Sequence, residues 1–404
     1  MSQPQGSLYE IRWNEVFPWL ILVRALRVSV MARVLVLAFA GVLVTQWGWS
    51  AVDFTLSENS DRLERLTDNS AKPKLPAPNS ISQVIEYTES KKGLAALAGP
   101  LLRGWSWLAQ PFTILIDQES TWRRSLALSL SGIWTIMIWA LFGGAISRIA
   151  AVYLTRGETL GPLVALKSAL IRWGATAGAP LIVLLAFAAL ALPLAINGLL
   201  MWNDFLAMFA GIFWPVVLAW GLLLALVLLG LFLGWPLMWA TVSVEQTDAF
   251  DGVSRCYAYV SQRPLHLMFY VLVAMGLGFL GDFLVQGIAY AVVGLSDWTI
   301  SWGLSSERTT ELVQSTHANL SAPADIGRMS IQFWKWSLQA LVASYSVGYL
   351  WSASVGIYLL LRRHIDSTEM DEIAFEESDL PKNGLPHLEP DESGVPQVKN
   401  KNEE

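Results

Sequence analysis

The chain has 404 residues, of which 54% are apolar and 15% charged, with a formal net charge of −6 and a mean hydropathy of +0.44. A soluble domain carries about 25% charged residues, so this composition excludes a soluble globular protein, and no basic surface points to a nucleic-acid partner. The single cysteine, Cys256, closes no disulfide within the chain and has no second Cys or nearby His at metal-ligand spacing.

Long apolar runs predict an all-α integral membrane protein, a six-span helical bundle with interfacial helices. Residues 1–27 read as a cytosolic or interfacial segment. There, Leu8 to Leu20 interleaves Trp13, Phe17 and Trp19 with Glu10, Arg12 and Glu15, a pattern suited to the headgroup layer. Residues 28–49 form the first span, with Arg33 reaching back to the surface. The charged leader is longer than the n-region of a signal peptide, so an uncleaved anchor is expected. Residues 50–124 make an extracytoplasmic excursion containing the proline-rich piece Lys72 to Pro78. Gly93 to Ile116 is apolar but is interrupted by Pro100, Arg103 and Pro111. Trp105 and Trp107 mark it as a helix expected to lie on the membrane rather than to enter it.

Residues 125–361 hold the other five spans. Ser125 to Ser147 is the second, and Gly174 to Ile196, with Pro180 and Pro193, is the third. Asn197 to Asp204 is a tight polar turn. Phe205 to Trp239 would be about 50 Å long as a straight helix at 1.5 Å per residue. It must therefore tilt, kink at Pro215 and Pro236, or leave one end in the interface. The fifth span falls within Leu265 to Val293 and the sixth covers Trp336 to Leu361. Residues 362–404 are expected to be a disordered, acidic, cytosolic tail. Trp47, Trp49, Trp122, Trp202 and Trp334 at one set of span ends, and Trp173, Trp235 and Trp239 at the other, read as interfacial belt residues.

Lysine and arginine in the short loops set orientation. Arg12, Arg24, Arg27 and Arg33, then Arg148, Arg156, Lys167 and Arg172, then Arg255 and Arg263, then Arg362 and Arg363 fall on one side of a six-span chain. Both termini are therefore expected in the cytoplasm. The stretches Ala165 to Arg172 and Val253 to Val260 are alike: each is a small-residue helix with a basic group that leads into a span. They suggest a repeated helix-turn-helix unit.

Three patterns are candidates for function. In the sixth span Ala340, Ser344, Gly348, Ser352 and Gly356 recur every four residues, which makes a shallow groove for close helix approach. This groove suits packing inside the bundle, with a homo-oligomer face as the alternative. Gly230 with Gly234 and Gly174 with Gly178 add two shorter pairs. Asp282, with Gln286 one turn on, is an acidic residue well inside a predicted span, and an intramembrane carboxylate is a functional-site hypothesis by default. A place in the outer headgroup layer is expected for it, with the bundle interior as the alternative. In the polar stretch Ser243 to Pro264, Glu245, Asp248 and Asp251 invite a metal-binding reading. Asp248 as a helix N-cap and Arg255 four residues after Asp251 explain them more simply. The opening Asp251-Gly-Val-Ser-Arg255 resembles that of the CDP-alcohol phosphatidyltransferase signature, but the later glycine and aspartates of that signature are missing.

No HExxH, glycine-flanked nucleophile or paired catalytic carboxylates occur, so no catalytic residue, metal or cofactor is expected. The elbow from Asp248 to Arg263-Pro264 resembles the repeated element of uncharacterised bacterial multi-pass proteins, including the membrane domains fused to some glycerophosphodiester phosphodiesterases. That resemblance implies a bacterial inner-membrane helical bundle and carries over no active-site residue. The expected role is non-catalytic: a scaffold or accessory subunit that organises membrane partners or lipids in the bilayer. The alternatives are a secondary transporter using Asp282 and, third, an intramembrane enzyme of lipid metabolism.

Overall fold

The computed structural model describes residues 17–56, 99–115, 122–304, 306–313, 320–370, 372–373, 388–390 and 396–398. A 3₁₀ turn, Pro18–Leu20, leads into α1 (Ile21–Ser29) and α2 (Ala32–Leu56). The chain continues through α3 (Gly99–Leu115), α4 (Trp122–Arg156), α5 (Pro162–Ile171), α6 (Trp173–Leu200) and α7 (Asp204–Ile212). It ends with α8 (Trp214–Glu245), α9 (Ala249–Gln262), α10 (Pro264–Ser301), α11 (Ser306–Val313) and α12 (Ala322–Ile365). The fold is all-α, and among the described residues α2, α4, α6, α8, α10 and α12 are the six helices long and apolar enough to cross a bilayer. The headgroup-layer segment expected before Phe17 and the proline-rich piece Lys72 to Pro78 lie outside the described residues. In the tail expected to lack structure, β1 (Leu388–Pro390) pairs antiparallel with β2 (Pro396–Val398).

Local chemistry sets the helix ends. Asn203 caps α7, its side chain accepting from the Phe205 and Leu206 amides. The overlong apolar run breaks at Phe213, just before Pro215 in the first turn of α8, and Pro236 is carried inside α8. Gln246 closes α8 in the left-handed conformation, φ 54°, with its amide bonded to the Val242 carbonyl. Asp248 Oδ1 accepts from the Asp251 amide at 2.8 Å and Arg255 Nε donates to Asp251 Oδ1 at 3.0 Å, so capping and a helical ion pair occupy both aspartates. α12 begins well before the expected Trp336. Its first turns carry Asp325 and Arg328, paired at 2.7 Å, and Lys335 reaches Asp297 of α10 at 2.7 Å. A hydropathy reading sees only the apolar part of such a helix.

α12 is the axis of the bundle. The most apolar window of α12 is 83% buried, against 17% for α6 and 6% for α8. It packs on α1, α2, α3, α4, α8 and α10. Its small residues are what allow this. A Cβ on Gly348 would sit 3.3 Å from Val34 Cγ1, and one on Gly356 would sit 3.0 Å from Leu22 Cδ2. The stripe Ala340, Ser344, Gly348, Ser352 and Gly356 is buried, and Gly348 and Gly356 receive α1 and α2 within one chain. Ser344 and Ser352 satisfy their hydroxyls on the carbonyls of Ala340 and Gly348.

The described part of Gly93 to Ile116, the segment expected to lie on the membrane, is α3, and one face of it packs against the bundle. Gly99, Pro100, Leu101, Gly104, Leu108 and Pro111 are buried. An added Cβ on Gly104 would lie 2.7 Å from the Ser346 carbonyl oxygen, in the middle of α12. Gly99 abuts Met275 and Phe279 of α10, and Phe112 fills the space beside Gly132 of α4. α3 therefore inserts among α4, α10 and α12. Prolines did not prevent this, because Pro100 stands in the first turn, where an amide is not needed. Glycine at Gly104 permits backbone contact.

Two short helices fold back along the long helices that precede them. On α5, Ala169 approaches Gly144 of α4. On α9, Gly252 meets Met238 and Val242, the Cys256 thiol donates to the Gly234 carbonyl at 3.0 Å, and the Tyr257 hydroxyl donates to the Val227 carbonyl at 2.7 Å. The partner number falls as the α9 number rises, so α9 runs antiparallel to α8. The short helix read from sequence at Val253 to Val260 is part of α9, and the structure adds its return along α8. Units α4–α5–α6 and α8–α9–α10 share this long–short–long order, and Arg172 and Arg263 stand at the N-caps of α6 and α10.

Candidate functional site

Asp282 lies near the middle of α10, with 18 residues before it to Pro264 and 19 after it to Ser301. At 1.5 Å per residue it stands about 27 Å along α10 from Pro264, close to the roughly 30 Å of a hydrocarbon core, so the outer-headgroup place expected for it agrees with the length of the helix. Its Oδ2 accepts from the Arg103 guanidinium of α3 and from Gln286 Nε2 at 2.8 Å, and its side chain is only 14% exposed, whereas that of Arg103 is 39% exposed. Once α3 is inserted, a cation stands beside the acid and α10 continues past Asp282 without interruption. Behind the pair lies Tyr345 of α12, fully buried, its hydroxyl pressed against Gly281. The pair lies between α3 and α10, with α12 behind.

A second charged centre closes the Glu245 end of α8. The Glu245 carboxylate accepts from the Arg362 guanidinium and, at 3.2 Å, from the Tyr358 hydroxyl, both on α12, while Arg255 of α9 stands 4.0 Å away. Arg362 is only 2% exposed and also donates to the Glu369 and Glu372 carbonyls, at 2.8 and 2.5 Å, which holds the chain after α12 against the bundle. The Tyr259 hydroxyl of α9 donates to Asp366. Arg148 Nη1 donates to the Ser243 carbonyl at 2.9 Å, and Arg172 reaches Gln246 at 3.3 Å. Glu245, one of the three acids open to a metal reading, is thus committed to an internal cation, Asp248 to capping and Asp251 to its ion pair with Arg255. Burial pushes the Cys256 thiol and the Tyr259 phenol of α9 well above their ordinary values and Tyr257 to about 12, so all three are neutral hydrogen-bond donors.

No protein-family model matches the chain, and no curated protein and no solved structure is significantly similar to it. The geometry therefore stands by itself.

The structure also corrects two of the belt tryptophans. Trp47, Trp122, Trp202 and Trp334 are exposed as a belt requires, but Trp49 and Trp239 are buried. They belong to a run of rings through the core. Trp49 meets Trp107 at 5.2 Å, Trp107 meets Trp139 at 6.2 Å, Trp139 stacks on Trp351 at 6.3 Å, and Trp351 stacks on Trp239 at 4.5 Å. This ladder joins α2, α3, α4, α12 and α8. Its large apolar area locks the helices together, and the Trp49 indole is satisfied by Thr135 Oγ1 at 3.0 Å. Gly143 makes room for Trp351, a fit that no sequence period reveals. Sequence reading also missed Arg103 and Arg362. The one available signal was that each is a cation in or beside an apolar stretch, where charges are expected to pair.

Proposed function

We propose that this protein is a non-catalytic multi-pass membrane scaffold or accessory subunit, with both termini in the cytoplasm of a bacterial cell and its spans in the inner membrane. One observation carries the reading. Every acidic residue of α8, α10 and α12 is matched to a cation within the chain: Glu245 to Arg362, Asp282 to Arg103, Asp297 to Lys335 and Asp325 to Arg328. Charge held in closed pairs supports helix association and leaves no lone carboxylate to load and release a proton or ion. The basic flanks Arg24, Arg27, Arg148, Arg172, Arg263 and Arg363 support the orientation.

Secondary transport is the second reading, favoured by the part-exposed Arg103 beside Asp282 and by the inserted helix α3. The pair separates the two. Arg103→Gln leaves a mostly buried carboxylate without a counter-charge and is expected to lower the yield of folded protein strongly. Asp282→Asn leaves the more exposed partner and is expected to cost less. The double variant removes both charges and is expected to recover folding. In cells depleted of the native chain, the folded double variant should then complement, since a scaffold needs the shape and not the carboxylate. A double variant that folds normally but fails to complement would move transport into first place.

A further inference from the structure

The junction where α10 begins and α12 ends gathers basic groups that the rest of the molecule does not use. The His266 and His364 rings are 4.7 Å apart, centroid to centroid, and Tyr270, one turn after His266, lies 6.5 Å from it. Arg263 and Arg363 lie close enough for their charges to be felt at His364, and Arg363 is felt at Tyr270 as well. Among the described residues neither guanidinium has an acidic partner. Asp366, two residues after His364, is turned to the Tyr259 hydroxyl, and Glu245 is held by Arg362. No acid stands in the first turn of α10.

Helix electrostatics explain only half of this arrangement. Arg363 in the last turn of α12 complements the negative end of that helix, but Arg263 stands at the positive end of α10, where a cation is unfavourable. Two helices thus bring two guanidiniums to one place with no acid paired to them among the described residues, and the two imidazoles add hydrogen-bonding groups beside them. On the face of α10 beside the cluster, Leu265, Met268, Phe269 and Leu272 recur at helical spacing, and all four are exposed. A cationic group continuous with an exposed apolar stripe matches a ligand that has an anionic head and hydrocarbon chains.

We propose that Arg263, His266, Arg363 and His364 bind the phosphate of an anionic phospholipid whose acyl chains lie along Leu265, Phe269 and Leu272. The phosphate would offset both the mutual repulsion of the cluster and the misplaced charge at the start of α10. The proposal rests on the spans crossing a bilayer and is independent of whether the protein is a scaffold or a transporter. Free phosphate shares the head chemistry but has no use for the apolar stripe.

The test uses the purified full-length chain in a mild non-ionic detergent and reads the thermal unfolding midpoint during titration with phosphatidylglycerol, phosphatidylcholine or inorganic phosphate. Phosphatidylglycerol is expected to raise the midpoint saturably, and the other two are not. Arg263→Gln/Arg363→Gln should raise the lipid-free midpoint, because the repulsion is gone, while raising the half-saturating lipid concentration about thirty-fold, which is about 2 kcal/mol at 1.4 kcal/mol per factor of ten. Arg263→Lys/Arg363→Lys, which keeps the charge and guards against a folding defect, should respond like the native chain. An equal rise with phosphatidylcholine or with phosphate would overturn the proposal. So would an unchanged response in the Gln variant, or no rise at all, as when the acidic tail occupies the cluster. None of these results bears on the complementation by the Arg103/Asp282 double variant.

Discussion

Replacement of Gly104 by alanine probes the insertion of α3 directly. The new Cβ would lie 2.7 Å from the Ser346 carbonyl oxygen, 3.1 Å from its carbonyl carbon and 3.3 Å from Val347 Cα. All three are backbone atoms of α12, so no side chain can rotate away and the two helices must separate. Overpacking of this kind costs about 1–3 kcal/mol. Alanine in place of glycine within a helix also returns about 1 kcal/mol of propensity, which would mask part of the cost. The control is Gly276→Ala on α10, where nothing lies within 4 Å of the added atom. Both variants share the propensity gain, so their difference isolates the clash. Gly104→Ala should be about 1–3 kcal/mol less stable than Gly276→Ala. Tryptophan-fluorescence unfolding in detergent measures this, because the indole run Trp49, Trp107, Trp139 and Trp351 passes through the same contact region. Equal stability of the two variants would show that α3 is not packed on α12, and the ion pair between Arg103 and Asp282 would fall with it.

Three further outcomes follow from the packing. Cys256 is fully buried with its thiol donated to Gly234, so a maleimide should label it only after denaturation, and fast labelling of the folded protein would contradict the return of α9 along α8. Because burial raises its pKa above the ordinary 9.0, the folded state favours the protonated thiol, and stability should fall as pH rises past that value, less steeply in Cys256→Ser. In the stripe of α12, Gly356→Leu drives a side chain into Leu22 and Leu154, so it should reduce folded yield; retained folding with loss only of self-association would instead make the stripe a homo-oligomer face.

Much of this molecule is legible in one dimension, and the reason is the solvent. A bilayer demands long apolar helices whose backbone groups are satisfied internally, and so composition and run length alone predict the class and the six spans. Capping is local chemistry, which is why Asp248, Asp251 and Arg255 could be read correctly from spacing. A four-residue repeat of small side chains likewise identifies a packing surface on α12, because that spacing lies on one face of a helix.

Tertiary structure decided what meets that surface, and it decided both charged centres. Arg103 is 179 residues from Asp282 and Arg362 is 117 from Glu245, separations across which no periodicity carries information. Whether an apolar, proline-interrupted segment such as α3 packs against the bundle depends on whether a glycine-lined slot awaits it. Gly104 against Ser346 and Gly132 against Phe112 supply that slot only once the other helices are assembled. The return of α9 is hidden for the same reason. Its helix and its N-cap are readable, but the contacts that fold it back, Cys256 to Gly234 and Tyr257 to Val227, are hydrogen bonds to helix carbonyls that any sequence would contain. Sequence by itself determined which segments must be helices and which faces are small, because those follow from local spacing in an apolar solvent. Only the assembled bundle decided which charges neutralise each other and which segment fills its centre, because those follow from shape.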